Sequence, residues 1–256
     1  DEHIIKVFCI SDFDEDTNVL MATKKGRIKQ SPLKEYEVLR YSRLIRGMNV
    51  SKNDELASVD IGTKYNVICF TKRGEVLRMM QDEVPTYGVQ TAGVRALNLA
   101  DKDFISTALY AKNDDELLVV SQRGHIRRDK VENIPLSKRL LATTTFWRYR
   151  TRNPHFIVDA TRLSKEQKKE NVRLLLTAKK GYLDINISDL KPSVAEYGRL
   201  YLSSNQFLSS LFINLEQVDE EKDYELEEAI KLAELKRLKE EKEALLEEKE
   251  PETLEA

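Results

Sequence analysis

One phrase recurs four times in this chain, and it limits what the chain can fold into. Residues 20–30 read LMATKKGRIKQ, 68–78 ICFTKRGEVLR, 118–128 LVVSQRGHIRR and 175–185 LLTAKKGYLDI. The glycines Gly26, Gly74, Gly124 and Gly181 lie 48, 50 and 57 residues apart. Self-similarity at such a period marks an array of supersecondary units, each too small to bury its apolar face alone.

Within the phrase, a short apolar run before the glycine predicts a strand buried on both faces. Lys25 and Gly26 predict a two-residue hairpin loop, because glycine reaches positive φ without a Cβ penalty. Two positions after each glycine stand Ile28, Val76, Ile126 and Leu183, between mostly polar neighbours, the alternation of a half-exposed strand. A later strand follows in each unit: NDELASVDI at 53–61, DKDFISTALY at 101–110, NPHFIVDATRL at 153–163 and NQFLSSLFINL at 205–215. Between hairpin and later strand lies a basic, glycine-containing link, RYSRLIRGMNV at 40–50 and YGVQTAGVRALNL at 87–99. That makes about four strands per unit, the content of a propeller-type blade. No run before residue 220 carries a helical period, so the body is expected to be all-β, with blades near 19–61, 65–110, 115–163 and 172–215. Within residues 1–12, HIIKVFCIS matches a later strand without its own hairpin. It is expected to belong to a preceding blade, in a chain cut from a longer one, or to close a ring, so that four to five blades are represented.

The net charge of -2 hides a division. From Glu216 to Ala256 there are 17 acidic and 7 basic residues, a net of -10, leaving 27 acidic and 35 basic before it, a net of +8. A basic body, 1–218, therefore carries an acidic tail, 219–256, whose Ala, Leu, Glu and Lys content suits a charged helix or a disordered segment. No window approaches 18 uncharged apolar residues, and the acidic N-terminus lacks the features of a signal peptide, so neither membrane nor secretion is expected. Cys9 and Cys69 sit in apolar runs and are expected to be reduced core residues of a cytosolic protein.

Cations cluster at the glycine turns. On one hairpin they would be ordinary solvated side chains; at four equivalent positions, repeat symmetry lines them along one rim, the electrostatic footprint for a polyanion backbone. Arg40, Arg43, Arg46 and Arg95 in the links could extend that rim or lay their stems on apolar surface between blades. Arg148, Arg150 and Arg152 alternate with aromatic residues, which would place them on one face of a strand, with Trp147 packed inward. Enzymatic chemistry is hard to find. His3, His125 and His155 are scattered, no Cys/His spacing suggests zinc, and no phosphate-cradling glycine loop occurs. Asp12–Asp16 and Asp114–Glu116 read as solvated loops, and nothing adjoins Tyr41, Tyr87 or Tyr197 to activate a nucleophile. No catalytic residue, metal site or cofactor is expected in this chain.

An apolar pair, then T-K-[KR]-G, then a link to G-V-R-A-L-N-L and an acidic residue before a strand resembles the C-terminal domain of the A subunit of bacterial type IIA topoisomerases, gyrase and topoisomerase IV. The resemblance spans residues 1–218 and is most specific at Thr71–Arg78 and Thr91–Asp103. It implies a β-pinwheel whose basic outer rim binds and bends duplex DNA, while strand breakage belongs to a tyrosine elsewhere in the parent polypeptide. It implies contacts by Lys24, Lys25, Arg27, Lys29, Arg43, Arg46, Lys72, Arg73, Arg78, Arg95, Arg123, Arg127, Arg128, Lys179 and Lys180. It also implies a parent enzyme of the bacterial cytoplasm and nucleoid that relaxes and decatenates DNA. That enzyme's ATP and Mg²⁺ would be handled outside this chain, and its partners would be the rest of the A subunit and the ATPase B subunit. The glycine-rich box Q-R-R-G-G-K-G of gyrase has no match, Arg43 to Gly47 being its nearest approach, which points to the topoisomerase IV branch. The gyrase counterpart, its box lost with a missing blade, and a propeller-like protein–protein scaffold stay open as alternatives. The third unit departs from the pattern with KRLLATTTFWRYRTRN at 138–153, and the acidic tail is expected to screen the rim.

Overall fold

The computed structural model describes residues 4–38, 44–63, 65–165, 173–178, 182–192, 195–201 and 208–214. Contacts divide the chain at residue 215, and the second unit, residues 216–256 with the acidic tail, lies outside the described residues. The first repeat supplies β1 (Asn18–Thr23), β2 (Arg27–Pro32) and β3 (Leu56–Gly62). The second supplies β4 (Asn66–Thr71), β5 (Glu75–Met80), β6 (Val94–Arg95) and β7 (Ile105–Ala111). The third supplies β8 (Glu116–Ser121), β9 (His125–Lys130), β10 (Thr144–Thr145) and β11 (Ile157–Leu163). The fourth supplies β12 (Arg173–Ala178), β13 (Tyr182–Asn186), β14 (Arg199–Leu200) and β15 (Leu208–Asn214). No α-helix occurs among the described residues; a single 3-10 turn follows each hairpin.

Sheet order shows that a blade is not one repeat. The sheets run β3-β1-β2-β6, β7-β4-β5-β10 and β11-β8-β9-β14, with β13-β12-β15 as a fourth, all antiparallel. The short strand in each link therefore pairs with the hairpin of the preceding repeat, Ile28 opposite Val94, Val76 opposite Thr144 and Ile126 opposite Arg199. The spacing of apolar runs cannot reveal this exchange, because a two-residue strand satisfies its backbone equally well on either neighbour.

The hairpin is also tighter in its logic than a two-residue loop. Lys24, Lys25 and Gly26 form a three-residue turn, with Gly26 at φ 91°, Gly74 at 101° and Gly124 at 80°. A type I turn closed by a left-handed glycine is the usual form of such loops. The residue three before each glycine closes it: Thr23, Thr71 and Ser121 accept the glycine N–H at their carbonyls, 2.9–3.1 Å, and the next residue's N–H at their hydroxyls, 3.1–3.2 Å. The T-K-[KR]-G phrase is thus a local turn device with both buried acceptors satisfied.

Alternate residues of β4 and β8, the first strands of the second and third hairpins, pack against opposite neighbours. Val67 and Cys69 of β4 join Leu20, Ala22 and Ile28 of the first repeat, whereas Ile68 and Phe70 join Leu117, Val119 and Trp147 of the third repeat. Leu118 and Val120 of β8 face Leu174 and Ile187 of the fourth repeat. Burial on both faces explains why these strands read as unbroken apolar runs. Val19 and Met21, on the open face of the first sheet, are covered by Leu33, Met48 and Phe13.

Three expectations fail here. Residues 4–10 form no strand and Cys9 is exposed, so HIIKVFCIS adds no fifth last-strand; only Cys69 is a core cysteine, its thiol pushed up to about 12 by burial. Residues 146–156 are irregular, not a strand, although Trp147 is fully buried. Asp115 is buried and accepts from Lys112 N at 2.8 Å, while Glu116 pairs with Arg128, so this acidic run is not a solvated loop.

Gly74 O accepts from both Phe146 N and Trp147 N, at 2.8 and 3.0 Å, and a Cβ on Gly74 would lie 2.2 Å from Trp147 O. Gly74→Ala is expected to lower stability by at least about 1 kcal/mol, because alanine is strained at positive φ and clashes with backbone. Gly88→Ala, whose Cβ would meet nothing nearer than 3.7 Å, should leave the melting temperature almost unchanged, and thermal denaturation of both variants checks the contrast.

Candidate nucleic-acid interface

The exchanged strands and last strands bring the hairpin tips into succession. Lys24 O accepts from Ile105 N at 2.9 Å, and the adjacent Phe104 O accepts from Lys72 N at 2.7 Å. Tips one and two are therefore pinned to the same two residues. The pattern repeats one blade on: Lys72 O accepts from Ile157 N and Phe156 O accepts from Gln122 N, both at 2.9 Å. Three turns thus follow one another along a single backbone-bonded edge.

Seven of the expected contact residues lie at or beside this edge. Lys24 and Lys25 are exposed, Lys24 pairing with Glu55. Arg27 is exposed, and its guanidinium donates to Gly93 O at 3.1 Å. Arg95 stands directly opposite Arg27 across β2 and β6 and is exposed too. Lys72 lies 4.8 Å from the Phe156 ring centre. Arg73 lies 4.8 Å from that of Tyr149 and donates to Asp101 O. Arg123 is half-buried and reaches Asn153 Oδ1 at 3.4 Å. Arg46 is exposed in the first link, which carries no described strand.

Four others turn inward between blades, and the reason is positional. Gln30, Arg78 and Arg128 stand four residues after their tip glycines, and each reaches the 3-10 turn of the next repeat. Gln30 Nε2 donates to Val84 O at 2.6 Å; Arg78 Nη1 to Val131 O and Ile134 O at 3.0 and 2.9 Å; Arg128 Nη1 to Leu190 O at 2.9 Å. Three residues after the glycine, Lys29 is fully buried and donates to Gly88 O and Val89 O. Desolvation pushes its ammonium down to about 8. Arg127 reaches Phe146 O and Glu196 O and pairs with Asp129 at 2.5 Å. These groups are struts between blades, holding backbone carbonyls that no strand satisfies. Arg43, Lys179 and Lys180 lie outside the described residues, as do Arg40 and Tyr41.

Arg148, Arg150 and Arg152 are exposed on the irregular loop after Trp147. Their sequence density singled them out, but the strand assumed for them put them on the wrong scaffold. The fold also unites two histidines that sequence left apart: the His125 and His155 rings meet edge to face at 4.6 Å, and His155 stacks on Tyr197 at 4.1 Å. No third metal-ligating side chain joins them among the described residues. Burial, then His125, Arg123 and Arg150, pushes His155 down to about 4, against a weaker upward pull from Glu196.

Short antiparallel blades, the first three each completed by a strand from the next repeat and carrying a glycine tip, define a β-pinwheel. A family profile described as "DNA gyrase C-terminal domain, beta-propeller" matches residues 17–62 and 65–112. The chain is 29% identical over 182 residues, 71% of its length, to the A subunit of DNA topoisomerase 4 from Bacillus subtilis (strain 168), and spans 22% of that relative. It therefore covers about a fifth of the length of the curated relatives it matches. The fold is similar to "Crystal structure of the C-terminal domain of DNA topoisomerase IV", with TM-score 0.70, 24% identity and coverage of 86% of this chain and 69% of that one. It is also similar to "Structure of DNA gyrase A C-terminal domain", with TM-score 0.66, 23% identity and coverage of 79% and 67%. The first two repeats thus match the family of gyrase C-terminal domains, and the fold is the one shared with the C-terminal domains of gyrase and topoisomerase IV A subunits.

Struts and tips should separate in mutants. Arg78→Met is expected to lower the melting temperature, since Ile134 O loses its donor and Val131 O keeps only Ile134 N, at a cost of about 1–3 kcal/mol. A Lys72→Gln/Arg73→Gln double variant should melt nearly as the parent does. His155 gives a pH signature. The folded state keeps it neutral, whereas the unfolded chain takes up a proton below about 6.5, so its contribution is full above that pH and is lost as pH falls towards about 4. Melts at pH 7 and pH 5 should show a larger drop for the parent than for His155→Gln.

Proposed function

We propose that this chain is the non-catalytic DNA-binding and DNA-bending domain of a topoisomerase IV A subunit. It positions duplex DNA for ATP-dependent strand passage, in relaxation and decatenation, by the rest of the enzyme. The observation that carries this reading is the succession of tips pinned at residues 104–105 and 156–157, which aligns Lys25, Lys72, Arg73 and Arg123 on one edge. Cations at blade spacing suit a phosphate backbone: they fix position without reading bases, and they offset the few kcal/mol that bending a duplex costs. Sequence preference then comes from bendability. ATP and Mg²⁺ are handled by the remainder of the parent enzyme, partnered by its ATPase B subunit in the bacterial cytoplasm. The absent Q-R-R-G-G-K-G box favours topoisomerase IV over gyrase.

A gel shift with linear duplex across a salt series tests the reading. With about six phosphates neutralised, log affinity should fall against log salt with a slope near -5, roughly -0.9 per phosphate. A protein–protein scaffold predicts no shifted band even at low salt, and that result would remove the DNA role.

A further inference from the structure

The rim is not electrically uniform. In each of the first three repeats a loop leads from a buried anchor, Met48, Leu97 or Trp147, to the residue that opens the last strand, Leu56, Ile105 or Ile157. The first two loops each set one lysine, Lys52 or Lys102, against two carboxylates, Asp54 with Glu55 or Asp101 with Asp103. The third carries Arg148, Arg150 and Arg152 and no carboxylate.

The acids of the first two loops are built into the tips. Asp54 Oδ1 accepts from Lys25 N at 2.9 Å, and Asp103 Oδ1 from Arg73 N at 3.0 Å. His155 stands at the equivalent place in the third repeat, two residues before the strand. A neutral ring there replaces a fixed anion beside Arg123. Lys24 in the first tip is paired with Glu55, so part of that tip's charge is already neutralised within the protein.

The second tip leans onto the third loop. Lys72 and Arg73 lie over the rings of Phe156 and Tyr149, which stack on each other at 6.1 Å and 27°. Glu196 is the acid of this surface, accepting from Arg148 N at 3.2 Å and from Arg150 Nη2 at 3.5 Å. Among the described residues no carboxylate pairs with the side chains of Arg148 or Arg152. Cations held on ring faces lose less freedom on binding, and unpaired ones give up no internal partner.

We infer that the junction of the second and third tips, Lys72, Arg73, Arg123, Arg148, Arg150 and Arg152, is the dominant phosphate contact, with the first tip subordinate. The inference rests on the reading of the rim as a DNA surface. The test compares two triple variants of the full chain, Arg148→Gln/Arg150→Gln/Arg152→Gln and Lys24→Gln/Lys25→Gln/Arg27→Gln, on one labelled linear duplex through a salt series. Removing the loop arginines should flatten the log–log slope by about 2 to 3, and removing the first-tip cations by less than about 1. Arg152→Gln alone should flatten it by about 0.9 with an unchanged melting temperature, which guards against a folding defect in the triple variant. Equal losses from the two triples, or a larger loss from the first tip, would overturn the focus while leaving DNA binding intact. A parent protein that binds no duplex at low salt would overturn both.

Discussion

Each of the first three sheets is completed by two residues borrowed from the next repeat, and the rest of the structure depends on that loan. Without β6, β10 and β14, the second strand of each of the first three hairpins would present an open edge to solvent. With them, each repeat is tied to its neighbour by backbone hydrogen bonds as well as by apolar packing. The borrowed strand also delivers the residues after it, Ala96 with Leu97 and Phe146 with Trp147, into the core between blades. Positive φ at the tip glycines and the absence of a Cβ there let this segment approach closely. Cohesion between blades and the position of the rim thus share one origin.

The cations of the repeat divide by their distance from the glycine. One or two residues before it they sit on the turn and face outward. Three or four residues after it they lie on the second strand, whose faces are covered by neighbouring blades. A charged group buried there must find carbonyl or carboxylate partners, because desolvating it unpaired is costly. Arg78, Arg128 and Lys29 find such partners in the next repeat, and Gln30 does the same work without a charge. Arg162 extends the scheme along the last strands, reaching Asp60 at 2.5 Å, Tyr110 O and Ile61 O across three repeats. A basic composition therefore serves two ends, cohesion between blades and an electrostatic rim.

Much of the blade was legible because its signals are local. Thr23, Thr71 and Ser121, with glycines three residues on, spell out the turn, and unbroken apolar runs announce strands covered on both faces. The site was legible only in part. Lys25, Lys72 and Arg123 could be placed from the turn, but the burial of Lys29 and Arg78 could not be read, since alternation along a strand says nothing of what covers each face. The pairing of His125 with His155, thirty residues apart, left no trace in sequence spacing.

By itself, then, the sequence determined the hairpin: apolar strand, hydroxyl acceptor, basic turn and left-handed glycine all act within a few residues of one another. Only the tertiary structure decided which neighbour receives the short fourth strand and which cations point out to solvent. The physical reason is range. Turn geometry is settled by bonds between residues three or four apart, whereas Lys29 meets Val89, and Arg127 meets Glu196, only after whole blades have packed.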